Sequence, residues 1–164
     1  MPAAPGTRYG PPMTEENLAP APPLVGEAAD LARGIARLLH HMGFAALEEF
    51  NLANGRRADL FAIGRKGEIV VVEIKVSVAD FKGDDKWPEY LAHCDRFYFG
   101  VPAAFPRDLV PAEVGLMIGD RYGAAVLRDA PERTMATRLR HRETHRFALY
   151  AAGRLRRTID PEFG

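Results

Sequence analysis

Residues 68–76 read Glu-Ile-Val-Val-Val-Glu-Ile-Lys-Val, and this stretch decides the fold. Its β-branched residues occupy both faces, which is typical of a central strand buried from both sides. Side chains alternate along a strand, so Glu73 and Lys75 project from one face while Ile74 points to the other. Two charged groups therefore interrupt an otherwise buried run, and buried charge requires compensation.

A second strand, predicted at 57–63, precedes this stretch and is separated from it by a tight turn at 64–67. If the turn is centred near Lys66, antiparallel pairing places Asp59 opposite or diagonal to Glu73. The sequence thus predicts that two carboxylates and a lysine converge at one place on the sheet.

This convergence indicates a particular chemistry. Two adjacent carboxylates in a partly apolar site repel each other, so at neutral pH they need a shared proton or a cation. Mg²⁺ or Mn²⁺ suits hard oxygen ligands and can bridge to a substrate phosphate, with Asp59 and Glu73 as its ligands. Lys75 would orient the attacking water or stabilise charge in the transition state. The pattern therefore favours phosphodiester hydrolysis at Asp59, Glu73 and Lys75, and the alternative is a structural ion pair at a strand end.

The remaining elements extend outward from these strands. A helix at 26–42 is followed by a strand at 44–50, and a capping box at 77–80 opens a helical turn. The later predicted elements are a helix at 87–94, a strand at 96–101, a hairpin of 114–118 and 124–127, and a helix over about 132–157. This order predicts an α/β fold with a mixed central sheet flanked by helices.

Composition indicates one domain. The chain has 164 residues, of which 47% are hydrophobic, so it is long enough for one sizeable core. Residues 1–23 contain seven of the 13 prolines and no periodic apolar face, which predicts a disordered tail before a domain at 24–164. No apolar run reaches the length of a membrane span and no signal peptide is evident, so we expect a cytoplasmic protein without a membrane partner.

Charge is unevenly distributed in a chain whose formal net charge is zero. Between Arg133 and Arg157 there are eight arginines and one acid, Glu143. Arg138, Arg142 and Arg146 follow at i, i+4 and i+8 and would form one stripe on the C-terminal helix. Arginine forks bind phosphate oxygens well, so the stripe predicts DNA contacts, although a solvated helix face explains it about as well.

The sequence also resembles known families. Residues 56–61, Arg-Arg-Ala-Asp-Leu-Phe, followed by Glu73-Ile74-Lys75, resemble the PD-(D/E)xK superfamily of restriction enzymes, junction resolvases and repair nucleases. A closer resemblance, over about 26–127, is to the MmcB-like DNA-repair proteins of bacteria. The segments that carry it are Gly55–Asp59, Val72–Lys75, Asp80-Phe81, Asp84, Lys86-Trp87, Tyr90 and Cys94–Phe99.

This resemblance implies a restriction-endonuclease-like core in which Asp59 and Glu73 bind the metal and Lys75 is catalytic. Ala58 stands where the superfamily has proline. Some members add a glutamate from the first helix, which would make Glu27 a third metal ligand, although an acid at a helix N-terminus is also favoured by the helix dipole.

The resemblance also extends to the segment that follows the predicted strand. Repair nucleases of the superfamily often have Gln-x-x-x-Tyr on the following helix, and residues 86–90 have this spacing with lysine first. Lys82, Lys86 and Tyr90 would then contact DNA, whereas a solvated loop and a packed tyrosine are the alternative.

Three hypotheses follow. The leading one is a DNA-repair nuclease that uses Mg²⁺ or Mn²⁺ and no small-molecule cofactor and acts in the cytoplasm at the nucleoid. This hypothesis allows for homodimerisation and for other repair proteins as partners. The second is a DNA-binding repair accessory with the same fold and little or no cleavage. The third is an interaction domain unrelated to DNA.

Overall fold

The computed structural model describes Leu24 and residues 26–162, so the predicted tail at 1–23 lies outside the described residues. The helices and strands follow in the order α1 (Gly26–His41), β1 (Phe44–Asn51), β2 (Arg57–Gly64), β3 (Ile69–Ile74), α2 (Val78–Lys82), β4 (Arg96–Val101), β5 (Gly115–Gly119), β6 (Ala124–Arg128) and α3 (Thr137–Ile159). Two short 3-10 helices, Trp87–His93 and Arg107–Leu109, precede β4 and β5. No helix in the described part of the chain has the length and apolar character needed to cross a membrane.

The six strands in the described residues form one sheet in the order β1-β2-β3-β4-β5-β6. The pairs β1/β2, β2/β3 and β5/β6 are antiparallel, whereas β3/β4 and β4/β5 are parallel. This topology confirms the predicted α/β fold with a mixed central sheet flanked by helices, as expected of a restriction-endonuclease-like core.

The sheet separates two hydrophobic cores. On one face α1 packs through Leu31 and Ile35 against β3 residues such as Val72. On the other face Val71 of β3 belongs to the core that includes Tyr150 of α3. All six residues of β3 are buried, which confirms the prediction of a central strand covered on both sides.

Two predicted helices are corrected by the structure. The segment predicted as a helix at 87–94 is a 3-10 helix, and α3 begins at Thr137 instead of near Glu132. The segment before α3 uses its polar groups in tertiary contacts. The Arg133 N–H donates to the Asp95 carbonyl (2.8 Å), and the Arg133 guanidinium donates to the Glu113 carbonyl (3.2 Å). These contacts compete with a helix that the local sequence would allow.

An arginine clamp fixes α3 over the sheet. Arg140 donates from two nitrogens to the two carboxylate oxygens of Asp95, each at 2.6 Å, and also to the Gly67 carbonyl at 2.8 Å. Asp95 in turn accepts a hydrogen bond from the Ile69 N–H at 2.7 Å. Because bidentate charged pairs are geometrically specific, this clamp sets the position of α3 relative to the start of β3.

At Gly34, α1 closely approaches the backbone of the turn between β5 and β6. A Cβ at Gly34 would overlap the carbonyl oxygen of Asp120 and lie 2.8 Å from that of Gly123. These are backbone atoms, which cannot move aside as a flexible side chain would. Gly153 in α3 differs, because a Cβ there would make only an ordinary contact with Arg157 at 3.7 Å.

We therefore predict opposite effects of two matched helix substitutions. Gly34→Ala should lower the free energy of unfolding by about 2 kcal/mol or more, through overpacking. Gly153→Ala should raise it by about 0.5 to 1 kcal/mol, through helix propensity. Urea unfolding followed by circular dichroism measures both, and equal effects of the two variants would show that α1 does not pack on this turn as described.

Candidate functional site

Asp59 and Glu73 lie side by side where the ladder between β2 and β3 ends. The last paired residues of this ladder are Leu60 and Val72, so the next position on each strand brings Asp59 opposite Glu73. The Ile74 N–H donates to Asp59 Oδ2 at 2.8 Å, and the Asp59 N–H donates to Glu73 Oε1 at 3.2 Å. Each carboxylate is thus anchored by the backbone of the neighbouring strand and keeps a second oxygen with which to bind a cation.

Burial makes this pair electrostatically costly. Glu73 is only 5% exposed, and its burial together with the neighbouring charge of Asp59 raises its pKa well above the usual range. Burial also raises the pKa of Asp59, against the opposing effects of the Ile74 N–H and of Lys75. Two carboxylates in this position resist full ionisation unless a positive charge joins them.

Lys75 follows on the same face and is also buried, at 7% exposure. Its ammonium Nζ lies 2.8 Å from Asp84 Oδ2 and 3.8 Å from Asp80 Oδ1. Burial lowers the pKa of Lys75, but the hydrogen bond to Asp84 and the surrounding acids outweigh it and raise the pKa above its ordinary value. Lys75 is therefore a charged ammonium at neutral pH.

Asp84 is a site residue to which sequence reasoning assigned no role. Its Oδ1 accepts a hydrogen bond from the Lys86 N–H at 3.0 Å, which fixes the carboxylate that holds Lys75. An aspartate that accepts from the backbone two residues ahead is a common turn pattern, and the sequence Gly-Asp-Asp-Lys at 83–86 contains this signal. Only the fold shows that the turn faces Lys75.

The donor set fits a hard divalent cation. Among the described residues no group of three His, Cys, Asp or Glu side chains could enclose a metal ion. A closed four-ligand site of the zinc type therefore does not match these residues. Two anchored carboxylates match Mg²⁺ or Mn²⁺, because Mg²⁺ is commonly bound by one or two carboxylates and keeps several waters.

Glu27 is not part of this donor set, which corrects the predicted third ligand. It is exposed in the first turn of α1. That helix packs on the Val72 and Ile74 face of β3, whereas the alternation of the strand places Glu73 on the other face. The position of Glu27 is explained by the favourable interaction of an acid with a helix N-terminus.

The predicted DNA contacts near β3 divide into two kinds. Tyr90 is 7% exposed, donates its hydroxyl to the Arg57 carbonyl at 2.8 Å and stacks on Phe97, so it is a packed side chain and this prediction is corrected. Lys82 and Lys86 are exposed on either side of Asp84. Their assignment as DNA contacts stays a prediction.

The predicted arginine stripe is not uniform either. The Arg146 side chain is 11% exposed, lies 3.7 Å from Glu143, and donates to the Asn51 carbonyl at 2.9 Å, so it joins α3 to the end of β1. Its assignment as a DNA contact is corrected for that reason. Arg138 is exposed and Arg142 is partly buried, and both remain predictions.

The raised pKa of Glu73 predicts a stability effect. A carboxyl group whose pKa is higher in the folded state binds more protons there, so stability falls as pH rises from the ordinary carboxyl pKa through the folded pKa. Glu73→Gln removes this penalty and retains an oxygen that can accept the Asp59 N–H. We expect the variant in EDTA to melt at a higher temperature than the wild type at about pH 8, with little difference near pH 4.

Thermal unfolding followed by circular dichroism measures this effect. Asp85→Asn, at an exposed acid beside Asp84, is the matched control and should leave the melting temperature unchanged at both pH values. A Glu73→Gln protein that is less stable than the wild type at about pH 8 would contradict this description of the site.

Comparison with known proteins is consistent with this fold. A protein of unknown function from Silicibacter pomeroyi, SPO1766, has a solved structure that matches with a TM-score of 0.83 and 46% sequence identity, covering 85% of this chain and 96% of that chain. None of the curated proteins matches. A family described as DNA repair protein MmcB-like matches residues 20–162. Because this match spans most of the sequence, the chain belongs to the MmcB-like family of DNA repair proteins.

Proposed function

We propose that this DNA repair protein is a metal-dependent deoxyribonuclease that hydrolyses phosphodiester bonds of DNA at Asp59, Glu73 and Lys75. The observation that carries the proposal is the reciprocal anchoring of the Asp59 and Glu73 carboxylates by hydrogen bonds of 2.8 and 3.2 Å. Lys75 adds a charged ammonium two residues after Glu73. Family membership gives the role in DNA repair, and the three side chains support the reaction.

The two carboxylates would hold Mg²⁺ or Mn²⁺ through the oxygens that the backbone hydrogen bonds do not use. Once bound, such an ion supplies Lewis acidity to a phosphate oxygen and a lowered pKa to a bound water. The carboxylates themselves fix where the ion sits, because each is tied to the neighbouring strand. Burial raises the pKa of both carboxyl groups, and the charge of Asp59 adds to the rise at Glu73, so a bound cation would offset a cost already present in the protein.

The protonation state of Lys75 limits its role. The ion pair with Asp84 keeps the ammonium charged, so Lys75 has no lone pair and does not act as a general base. Its N–H groups would instead donate to the attacking water or to a phosphate oxygen as negative charge develops. Asp84 orients the ammonium for this task and is itself held by the Lys86 N–H.

One observation favours a second candidate, the repair accessory that binds DNA and cuts weakly or not at all. The Lys75 ammonium is engaged by Asp84 at 2.8 Å, and the described residues bring two acids together at the site without a third ligand. A nuclease would have to direct the Lys75 ammonium to the phosphate although Asp84 already binds it, and would have to bind its metal ion with two carboxylates. Family membership is compatible with either candidate and disfavours an interaction domain unrelated to DNA.

Cleavage assays separate these candidates. The purified full chain is incubated with end-labelled single-stranded, duplex, flapped and branched DNA, in Mg²⁺, Mn²⁺ or EDTA. We expect cleavage of at least one substrate with metal and none with EDTA. Glu73→Ala and Lys75→Ala should each reduce the rate by about 100-fold or more, as expected for loss of a group that stabilises the transition state.

Glu68→Ala and Lys66→Ala are matched controls, since they change the same residue types in the nearby turn and should retain activity. Cleavage that survives both Glu73→Ala and Lys75→Ala would come from a contaminating nuclease and contradict the proposal. DNA binding without metal-dependent cleavage of any substrate would support the accessory instead.

A further inference from the structure

An ion pair between Glu49 of β1 and Arg57 of β2 lies beside the proposed site. Arg57 Nε is 2.6 Å from Glu49 Oε2, and the Glu49 side chain is 6% exposed whereas that of Arg57 is 44% exposed. The acid is thus fixed in the interior, and the guanidinium that it holds reaches the surface. The sequence patterns indicate no role for either residue.

Glu49 is held in an unusual state. Its φ of 52° lies in the left-handed region, which residues other than glycine seldom adopt. Neither of its carboxylate oxygens has a hydrogen bond within the described part of the chain, so its charge is compensated by ion pairing alone. Backbone strain and a buried carboxylate both cost stability, and such strained residues concentrate at functional sites. A functional role for the Arg57 guanidinium, which Glu49 holds in place, would account for this loss of stability.

Arg57 lies close to the proposed metal ligands. It precedes Asp59 by two residues, so the alternation of the strand directs both side chains to the same face. Burial raises the pKa of Asp59, and the positive charge of Arg57 is among the influences that oppose this rise. The guanidinium therefore acts electrostatically on the site without forming part of the carboxylate pair.

The negative charges around the site would repel DNA, and the Arg57 guanidinium can offset this repulsion. Five acids lie around the site, since Asp59 interacts with Glu49 and Asp80, and Glu73 interacts with Asp59 and Asp84. The Lys75 ammonium is engaged by Asp84. A DNA backbone approaching these acids would be repelled wherever no cation faces it. A metal ion offsets this repulsion at the phosphate that is cut, but the neighbouring phosphates need another positive group.

The geometry of the Arg57 guanidinium suits a contact with a DNA phosphate. The contact with Glu49 occupies Nε, and the two terminal nitrogens of Arg57 make no hydrogen bond among the described residues. Paired N–H groups of arginine match two phosphate oxygens, which lysine cannot reproduce. An anchored and half-exposed arginine also loses little side-chain freedom when it binds.

We propose that Arg57 binds a backbone phosphate of the DNA adjacent to the one that is cut, and that Glu49 positions its guanidinium. This inference rests on the proposed function, since it takes DNA to lie across Asp59 and Glu73. The contact is to the phosphate and is therefore independent of base sequence.

Equilibrium binding tests this inference without requiring cleavage. Fluorescence anisotropy of labelled single-stranded and duplex DNA is measured with the full chain over a range of NaCl, in Ca²⁺ so that oxygen ligands are occupied. Arg57→Ala should weaken binding by about 10-fold and reduce the slope of log affinity against log salt by about 1. Arg57→Lys should retain most of the slope and bind less tightly than the wild type, because it keeps the charge without the fork.

Two further variants separate a phosphate contact from a general effect of charge. Arg96→Ala removes an arginine of matched exposure, 45%, which lies 3.6 Å from Glu132 and pairs in the sheet with Val70, away from the site. It should leave affinity and slope unchanged. Glu49→Gln removes a negative charge, and this change in charge by itself would strengthen DNA binding. Loss of a residue that positions Arg57 would weaken binding instead. We expect weaker binding.

The outcomes decide the inference separately from the nuclease proposal. Unchanged affinity and slope in Arg57→Ala, an equal loss in Arg96→Ala, or a wild type that binds neither DNA would overturn it. If Arg57→Ala fails to fold by circular dichroism, Arg57→Gln is measured against the same criteria. A wild type that binds DNA through Arg57 but cleaves none in Mg²⁺ or Mn²⁺ would refute the nuclease and retain the contact.

Discussion

The hydrogen bonds exchanged between Asp59 and the end of β3 are the constraint on which the site depends. The Ile74 N–H holds one carboxylate and the Asp59 N–H holds the other, at 2.8 and 3.2 Å. These bonds occupy backbone donors where the β2–β3 ladder stops, and they hold two acids side by side. Burial raises the pKa of both carboxyl groups, the charge of Asp59 adds to the rise at Glu73, and a positive charge would offset both effects. The proposed catalytic site thus places two buried carboxyl groups together, and the rest of the fold must offset the loss of stability that this causes.

The fold supplies that stability through the central strand and through structural arginines. β3 is buried on both faces, so the position of Glu73 is fixed by packing on either side of the sheet. Arg140 ties α3 to Asp95 at the start of β3 and β4, and Arg146 ties it to the end of β1. The high arginine content of this segment therefore serves the assembly of the domain as well as any contact with DNA. Arginine pairs suit this purpose because their geometry is specific.

The sequence predicts the parts of this site that depend on strand periodicity. The alternation of residues 68–76 and a tight turn at 64–67 were sufficient to place Asp59 opposite or diagonal to Glu73. The pairing of Leu60 with Val72 and the hydrogen bond from the Asp59 N–H to Glu73 Oε1 confirm that the two residues are neighbours. The central strand and the mixed sheet were predicted for the same reason, since apolar runs report burial directly.

Features that depend on tertiary partners were not predictable. Glu27 has the residue type of a ligand, but the face on which α1 packs keeps it from the site. Tyr90 and Arg146 were predicted to contact DNA, yet each is drawn inward by a carbonyl acceptor from a distant segment. The start of α3 and the ion pair of Lys75 with Asp84 likewise depend on contacts between segments that no local pattern encodes.

The central claim is that the Asp59 and Glu73 carboxylates share one divalent ion. Anomalous diffraction from crystals grown with Mn²⁺ tests it most directly, because the position of the ion is read without assuming any activity. Our account predicts a single strong peak in contact with both carboxylates, which Asp59→Asn weakens or removes. A map with no peak at this pair, or with Mn²⁺ bound only elsewhere on the protein, would contradict the account.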